Sequence, residues 1–291
     1  MSHSQLHGTQ DPAKHPLETL ISHITMTPSS LTPDVQTAAN CLLQAWHNRS
    51  VIDAWPSAVQ PIDRSWAYPV QNALFKATQG THLGWKIAAT STAGQKHIGV
   101  SAPLAGRLMR ERCHADGAPV DVQRNRMRVA EAEFAFHMGR DVTAPAGHKL
   151  SLEEVIDAVS AVHLAIELPD SRFADFARMG EASLIADFAC ACDVVMGPQA
   201  QVDVRNWDFA GHAVSVLIDG QTVAHGQGAN VLGDPRWALA WLAQELCDHG
   251  DHLRDGDWVI TGTCVTPVPI APGQHVRCDF GALGAVGVQL V

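Results

Sequence analysis

The sequence predicts an α+β protein, with a small helical N-terminal region on a larger body whose mixed sheet is curled or barrel-like. Three observations carry that reading. From about residue 105 onward, short apolar or alternating runs recur: "EAEFAFHM", "VHLAIEL", "CDVVMG", "AVSVLIDG", "DWVITG", "QHVRCDF" and "GAVGVQLV". Asp219-Gly220 and Pro272-Gly273 supply turn chemistry between such runs. Only two helical patterns interrupt them, so strands and helices do not alternate as a doubly wound sheet requires.

In chain order, "MSHSQLHGTQDPAKHPLETL" is polar and His-rich, with no apolar core after a charged start. It reads as part of a flexible arm over residues 1–30, not as a secretory signal. A helical region follows over residues 31–82. In "SSLTPDVQTAANCLLQAWHNRS", Thr32 is the N-cap, Pro33 fits the first turn, and Ala38, Cys41, Leu42 and Trp46 form one stripe. A second helix covers "RSWAYPVQNALFKATQG", with Pro69 disturbing its start and Gly80 ending it. "THLGWKIAATS" is a short strand running into a turn, and it opens a β-rich body over residues 83–291. Inside that body, "SLEEVIDAVSA" carries a capping box of Ser151 and Glu154. "DPRWALAWLAQELCDHG" has Asp234 as N-cap, Pro235 in the first turn and Gly250 past its end.

Composition narrows the function classes. The chain has 291 residues, 46% of them hydrophobic, enough for a sizeable core in a soluble globular protein. Its net charge of -10 and lack of a dense basic run exclude nucleic acid and anionic membrane surfaces as partners. Small anionic substrates stay open, because they respond to local charge and metals. No apolar run approaches the ~18 residues a membrane-spanning helix needs. The seven cysteines are scattered without a C-x-x-C, which fits free thiols in a reducing cytoplasm and not a zinc framework.

The segment "VAEAEFAFHM" raises a sharper question. As a strand it puts Glu131, Glu133, Ala135 and His137 on one face and Ala132, Phe134, Phe136 and Met138 on the other. The second face is core. The first is either a wet surface or a buried acidic site. Glu167 ends another apolar run, followed by Asp170 and Arg172, and a buried carboxylate there needs a partner. Three carboxylates without cysteine form a hard oxygen site suited to Mg²⁺ or Mn²⁺. Lys86, within the apolar "LGWKIA", is either a snorkelling edge residue or a cation that holds a substrate carboxylate or moves a proton.

Five segments occur together in order: "GWKIAATSTAGQKHIGV", "VAEAEFAF", "AIELPDSRF", "GQGANVLGDPRWALAWLAQEL" and "VITGTCVTPVPIAPGQHVRCDFGALGAVGVQL". On them, the chain from about residue 35 to its C-terminus resembles the 2-oxopent-4-enoate (2-keto-4-pentenoate) hydratase and 4-oxalocrotonate decarboxylase family. That family lies within the fumarylacetoacetate hydrolase superfamily. The resemblance implies a β-rich fold of that type and a Mg²⁺ or Mn²⁺ ion held by Glu131, Glu133 and Glu167. It matches Lys86 to the family lysine and Thr266 to the threonine of the late "T-x-P" motif. The substrates it implies are 2-hydroxydienoates and their 2-oxo tautomers from aromatic meta-cleavage catabolism. It also implies a homo-oligomer, with a partner enzyme of the same pathway as a further association. A 2-oxo acid offers a carboxylate oxygen and a 2-oxo oxygen to such an ion, whose Lewis acidity serves hydration and decarboxylation alike.

The chain departs from the family pattern in two places. Where hydratases carry an acid in a "D-Q-P-D-F-G"-like stretch, this chain reads "VSAPLAGRL", with Ser101, Leu104 and Ala105, a form leaning towards the decarboxylases. The family's "A-D-N-A-S" appears as "ADFACAC", keeping Asp187 as a catalytic candidate and placing Phe188 where asparagine is usual. Leu104 and Phe188 are therefore substrate-binding candidates, alongside Thr266 and Lys86. Arg107, Arg110 and Arg112 read as a solvated basic loop, or as readers of a second carboxylate. His137 and His163 share the acids' parity but read as structural or wall residues. The leading function is a metal-dependent hydratase. Decarboxylation of a 2-oxo-3-enedioate is the alternative, ahead of acylpyruvate C–C hydrolysis or a non-catalytic partner subunit.

Overall fold

The computed structural model of the chain describes residues 32–145 and 147–291. The expected arm at residues 1–30 lies outside the described residues. The described chain opens with helices α1 (Pro33–Asn48) and α2 (Arg64–Thr78), then β1 (His82–Ala88), α3 (Thr92–Ile98), β2 (Leu104–Met109), β3 (Cys113–Ala115), β4 (Pro119–Val120) and β5 (Val129–Met138). It continues through α4 (Leu152–Ile156), β6 (Val159–Leu168), α5 (Glu181–Ala186), β7 (Asp193–Ala200), β8 (Ala213–Ile218), β9 (Gln221–Gln227) and α6 (Pro235–Asp248). Strands β10 (Trp258–Ile260), β11 (Val268–Pro269), β12 (His275–Asp279) and β13 (Ala285–Leu290) complete it.

Two sheets form. The larger runs β2-β1-β10-β5-β6-β7-β3, with β11 paired to β5, and it is mixed: β1 is parallel to β10 and β3 to β7, while the other neighbours are antiparallel. The smaller runs β4-β13-β12-β8-β9. Strand β5 is an interior strand of the larger sheet, and neither of its faces is open to solvent. Phe134 packs edge-on to Phe209 and Phe280, each at 5.2 Å, so the phenylalanine face is the inter-sheet core, as its parity predicts. The other face is not a wet surface: Glu133 is fully buried and Glu131 half-buried.

The helices α1 and α2 join the same continuous hydrophobic core as the sheets. Leu42 and Leu74 are fully buried, and Trp66 Nε1 donates to Asp34 Oδ2 at 2.8 Å to tie the pair together. Helix α2 is capped by Asp63, whose side chain accepts from Trp66 N, and begins at Arg64, so Pro69 falls inside the helix and not at its start. The capping box of Ser151 and Glu154 forms, but α4 stops at Ile156, and β6 takes over from Val159. The packing of "AVSAVHLAIEL" against β5 overrides the helical pattern there. Asp219 and Gly220, both at positive φ, make the turn between β8 and β9.

Candidate metal centre and its surroundings

Register brings the acids together. Across the antiparallel β5–β6 pair, Glu131 stands directly opposite Glu167 and Glu133 opposite Ala165, so all three carboxylates share one face. One carboxylate oxygen from each lies within 4.8 Å of the others. Glu133 Oε2 accepts from Gly262 N at 2.7 Å, at the turn leaving β10. Lys86, on β1, is almost fully buried, and its Nζ lies 3.0 Å from Glu167 Oε1 and donates to Ala189 O at 3.0 Å. The approach to Glu167 is a charge contact and not an aligned hydrogen bond. Glu133 Oε1 and both Glu167 oxygens are buried with no hydrogen-bond partner.

The electrostatics follow from burial and like charge. Burial and then the neighbouring Glu167 push the Glu131 carboxyl up to about 7. Burial, Glu167 and Glu131 raise Glu133 well above the usual carboxylate range, while burial outweighs Lys86 at Glu167 and raises it too. Burial works against the Lys86 charge, but the carboxylates, Glu167 first, outweigh it and raise its pKa. Lys86 alone cannot compensate the charges of half-buried Glu131 and buried Glu133 and Glu167, so protons or a further cation must. The orphaned oxygens and the purely carboxylate donor set fit a hard divalent ion such as Mg²⁺ or Mn²⁺, not a thiolate-bound metal.

The loop under Lys86 has an unusual backbone. Phe188, Ala189 and Cys190 all take positive φ (54°, 49° and 64°), an arrangement that persists only where neighbours impose it. Gly106 is one of those neighbours, since a Cβ there would lie 1.8 Å from the Phe188 carbonyl oxygen. A buried clasp is the other. Arg172 Nε donates to Asp187 Oδ1, Arg172 N and Ser171 Oγ donate to Oδ2, and Arg172 Nη2 donates to the Asp187 carbonyl.

This geometry revises several expectations. Asp187 is fully buried and both of its oxygens are taken by Arg172 and Ser171, so it is a clasp and not a free catalytic acid. The Phe188 ring turns into the core, edge-on to Trp46 at 6.0 Å; it is the backbone of this residue that reaches Gly106. Leu104 is buried on β2, opposite Ala88, on the face that carries Lys86. Thr266 is exposed, on the stretch that returns along β5, and no hydrogen bond among the described residues ties it to the acids. Arg107 belongs to a strand, not a solvated loop: it pairs with Trp85 on the face opposite Lys86, bonds Asn72 and Asp251, and covers the Trp85 ring. Arg110 is exposed, while Arg112 is half-buried and lies 3.5 Å from Asp193. His137 and His163 flank Trp258, at 4.6 and 4.7 Å between ring centres, as wall residues. The sequence reading missed the Ala189 carbonyl, the Gly262 amide and Gly106. Only the glycines left a trace, as interruptions within "LAGRLM" and "VITGT".

A mixed-sheet body with three carboxylates and a lysine buried on one face defines a class of protein, and the comparisons narrow it. Residues 108–291 match the family model described as fumarylacetoacetate (FAA) hydrolase C-terminal, and the chain belongs to that family. It is 33% identical over 227 residues to a 2-keto-4-pentenoate hydratase of Burkholderia vietnamiensis, covering 77% of this chain and 85% of the relative. It is 30% identical over 209 residues to a 4-oxalocrotonate decarboxylase of a Pseudomonas species, covering 72% and 77%. The crystal structure of a Pseudomonas putida 4-oxalocrotonate decarboxylase complexed with magnesium and adipate superposes with a TM-score of 0.79 at 28% identity, covering 90% of this chain and 99% of that one. No described helix is long and apolar enough to cross a membrane.

Proposed function

We propose that this chain is a divalent-metal-dependent lyase that hydrates a 2-hydroxy-2,4-dienoate or its 2-oxo tautomer. The observation that carries the proposal is the buried trio Glu131, Glu133 and Glu167 with Lys86 at its edge. The three carboxylates would hold Mg²⁺ or Mn²⁺, and the Gly262 amide fixes Glu133 Oε2 while Oε1, without a hydrogen-bond partner, would be left to serve as a ligand. Bound there, the ion supplies Lewis acidity to the substrate's 2-oxo oxygen and charge for its carboxylate. Lys86 Nζ, held by the Ala189 carbonyl, gives that carboxylate a second cation and holds a proton beside the site. In the reaction the dienol loses its hydroxyl proton and gains one at its far carbon, leaving an alkene conjugated to the 2-oxo group. Water then adds across that alkene, hydroxyl to the carbon distal to the carbonyl and proton to the proximal one. A homo-oligomeric, cytoplasmic enzyme of aromatic catabolism belongs to the same reading.

A second reading rests on Leu104. It puts a buried apolar side chain on the Lys86 face, where the hydratase pattern expects an acid to handle water. Decarboxylation of a 2-oxo-3-enedioate uses the same carboxylates and lysine but adds no water, so it loses nothing by that substitution. Incubation with 2-hydroxypenta-2,4-dienoate and with 4-oxalocrotonate, with Mg²⁺ present and CO₂ monitored, separates the two. Hydration of the first without CO₂ from the second supports the hydratase; the reverse supports the decarboxylase. Turnover of neither, with metal bound, overturns both.

A further inference from the structure

A cavity of about 200 Å³ lies outside the carboxylate site, and neither the trio nor Lys86 lines it. It opens between the end of α1, the residues following β4 and the start of β7. Five arginines line it: Arg49, Arg112, Arg124, Arg126 and Arg172. Three aspartates join them, giving a formal lining charge of +2 (five minus three, with His114 neutral) in a chain of net charge -10. This is a concentration of positive charge that the overall composition disfavours.

The aspartates are already engaged. Asp193 faces His114 at 2.8 Å and Arg112 at 3.5 Å, Asp170 Oδ1 accepts from the Arg126 and Met127 amides, and Asp121 Oδ1 accepts from the Gln123 amide. Arg172 is spent on Asp187. The guanidinium groups of Arg49, Arg124 and Arg126, by contrast, have no hydrogen-bond or ion-pair partner among the described residues. Ala45, Trp46 and Val120 line the same cavity as apolar surface. Arg112 and Arg172 cover the Trp46 ring at 5.3 and 4.8 Å, which holds both the ring and the two cations in place.

We propose that this cavity binds a small dicarboxylate, with its carboxylates on Arg49, Arg124 and Arg126 and its short carbon chain against Ala45 and Val120. Guanidinium groups present paired donors that match a carboxylate, and a lining that combines them with apolar side chains suits an anion with a short hydrocarbon spacer better than a compact inorganic ion. The site is distinct from the metal centre, although Arg172 belongs to both neighbourhoods. It walls the cavity and grips the segment whose Ala189 carbonyl holds Lys86.

Calorimetric titration of the full chain with succinate, at low ionic strength and with Mg²⁺ supplied, tests the proposal. Saturable binding is expected. Substituting both Arg124→Ala and Arg126→Ala should weaken it roughly a hundredfold, about tenfold for each guanidinium–carboxylate pair removed. Both side chains are exposed, so the variant should keep the wild-type circular dichroism and melting temperature. Glu133→Gln should leave succinate affinity unchanged. Absence of saturable binding, or equal binding by the double variant, would overturn the site. A loss caused by Glu133→Gln alone would move the ion to the metal centre and overturn it as well. Inorganic phosphate binding where succinate does not would overturn the dicarboxylate assignment.

Discussion

Glu131 and Glu167 face each other directly across neighbouring antiparallel strands, the position where a sheet ordinarily pairs opposite charges or apolar groups. Like charges so placed destabilise the pair. Glu133, two residues along the same face, adds a third acid, and its Oε1 has no partner. Inside the core such an arrangement is relieved by protons on the carboxyls or by a cation beyond Lys86.

Removing one carboxylate should therefore separate binding from folding. Glu133→Gln is expected to weaken Mg²⁺ binding, measured by calorimetry, at least about a hundredfold, the upper range for loss of a group that merely supports a metal ligand. Turnover dependent on Mg²⁺ should vanish with it. The metal-free variant should melt no lower than the metal-free wild type, since a buried like charge has gone. Retained Mg²⁺ affinity would sink the assignment of the trio.

The same crowding sets a pH dependence. The Glu131 carboxyl moves from an ordinary 4.5 to about 7 on folding, and Glu133 and Glu167 move in the same direction. An acid with a raised native pKa keeps its proton in the folded state after the unfolded chain has lost it. Stability of the metal-free protein therefore falls as pH rises from about 4.5 through about 7. Lys86, with its pKa raised, stays charged throughout that window and adds no slope. Mg²⁺ competes with those protons, so the rise in melting temperature that it causes should be larger at pH 8 than at pH 5. An equal rise at both values would show that these carboxylates do not bind it.

The sequence made the acid pair legible because strand parity is local: "VAEAEFAF" places Glu131 and Glu133 on one face whatever surrounds it. Which way that face points is not local. It depends on Lys86 and Gly262 reaching that face from elsewhere in the chain, and on β6 pairing with β5 so that Glu167 arrives in register from 36 residues away. Strand β2 was hidden for a similar reason. Gly106 and Arg107 look like loop residues in "LAGRLM" until the Phe188 carbonyl and Asp251 supply the close approach and the counter-charge. Asp187 looked catalytic because its buried partner, Arg172, reaches it only through the fold.

Lys86 should be separable from the metal. Lys86→Met removes the cation beside Glu167 but no proposed ligand, so Mg²⁺ should bind at least as tightly as in the wild type. Turnover should fall by about 10²- to 10⁴-fold, the range for losing a positioned proton-handling group. Lys86→Arg should not restore it, because a planar guanidinium does not fit a site shaped around a nearly fully buried ammonium. A Lys86→Met enzyme with normal kcat/KM would remove the lysine from the mechanism.

Gly106 and Asp187 make the last prediction, because they constrain the Lys86 loop from opposite sides. A methyl group at Gly106 meets the Phe188 carbonyl, and relief requires the left-handed stretch to shift, carrying the Ala189 carbonyl away from Lys86. Gly106→Ala should cost about 1–3 kcal/mol, the usual range for overpacking, measured by urea unfolding. Asp187→Asn leaves Arg172 buried without its counter-charge and should cost about 3–5 kcal/mol. Neither residue touches the trio, so Mg²⁺ affinity in the folded fraction should stay near wild type while kcat falls in both variants. Had Asp187 been a free catalytic acid, Asp187→Asn would abolish turnover at unchanged stability, and unfolding curves distinguish the two outcomes directly.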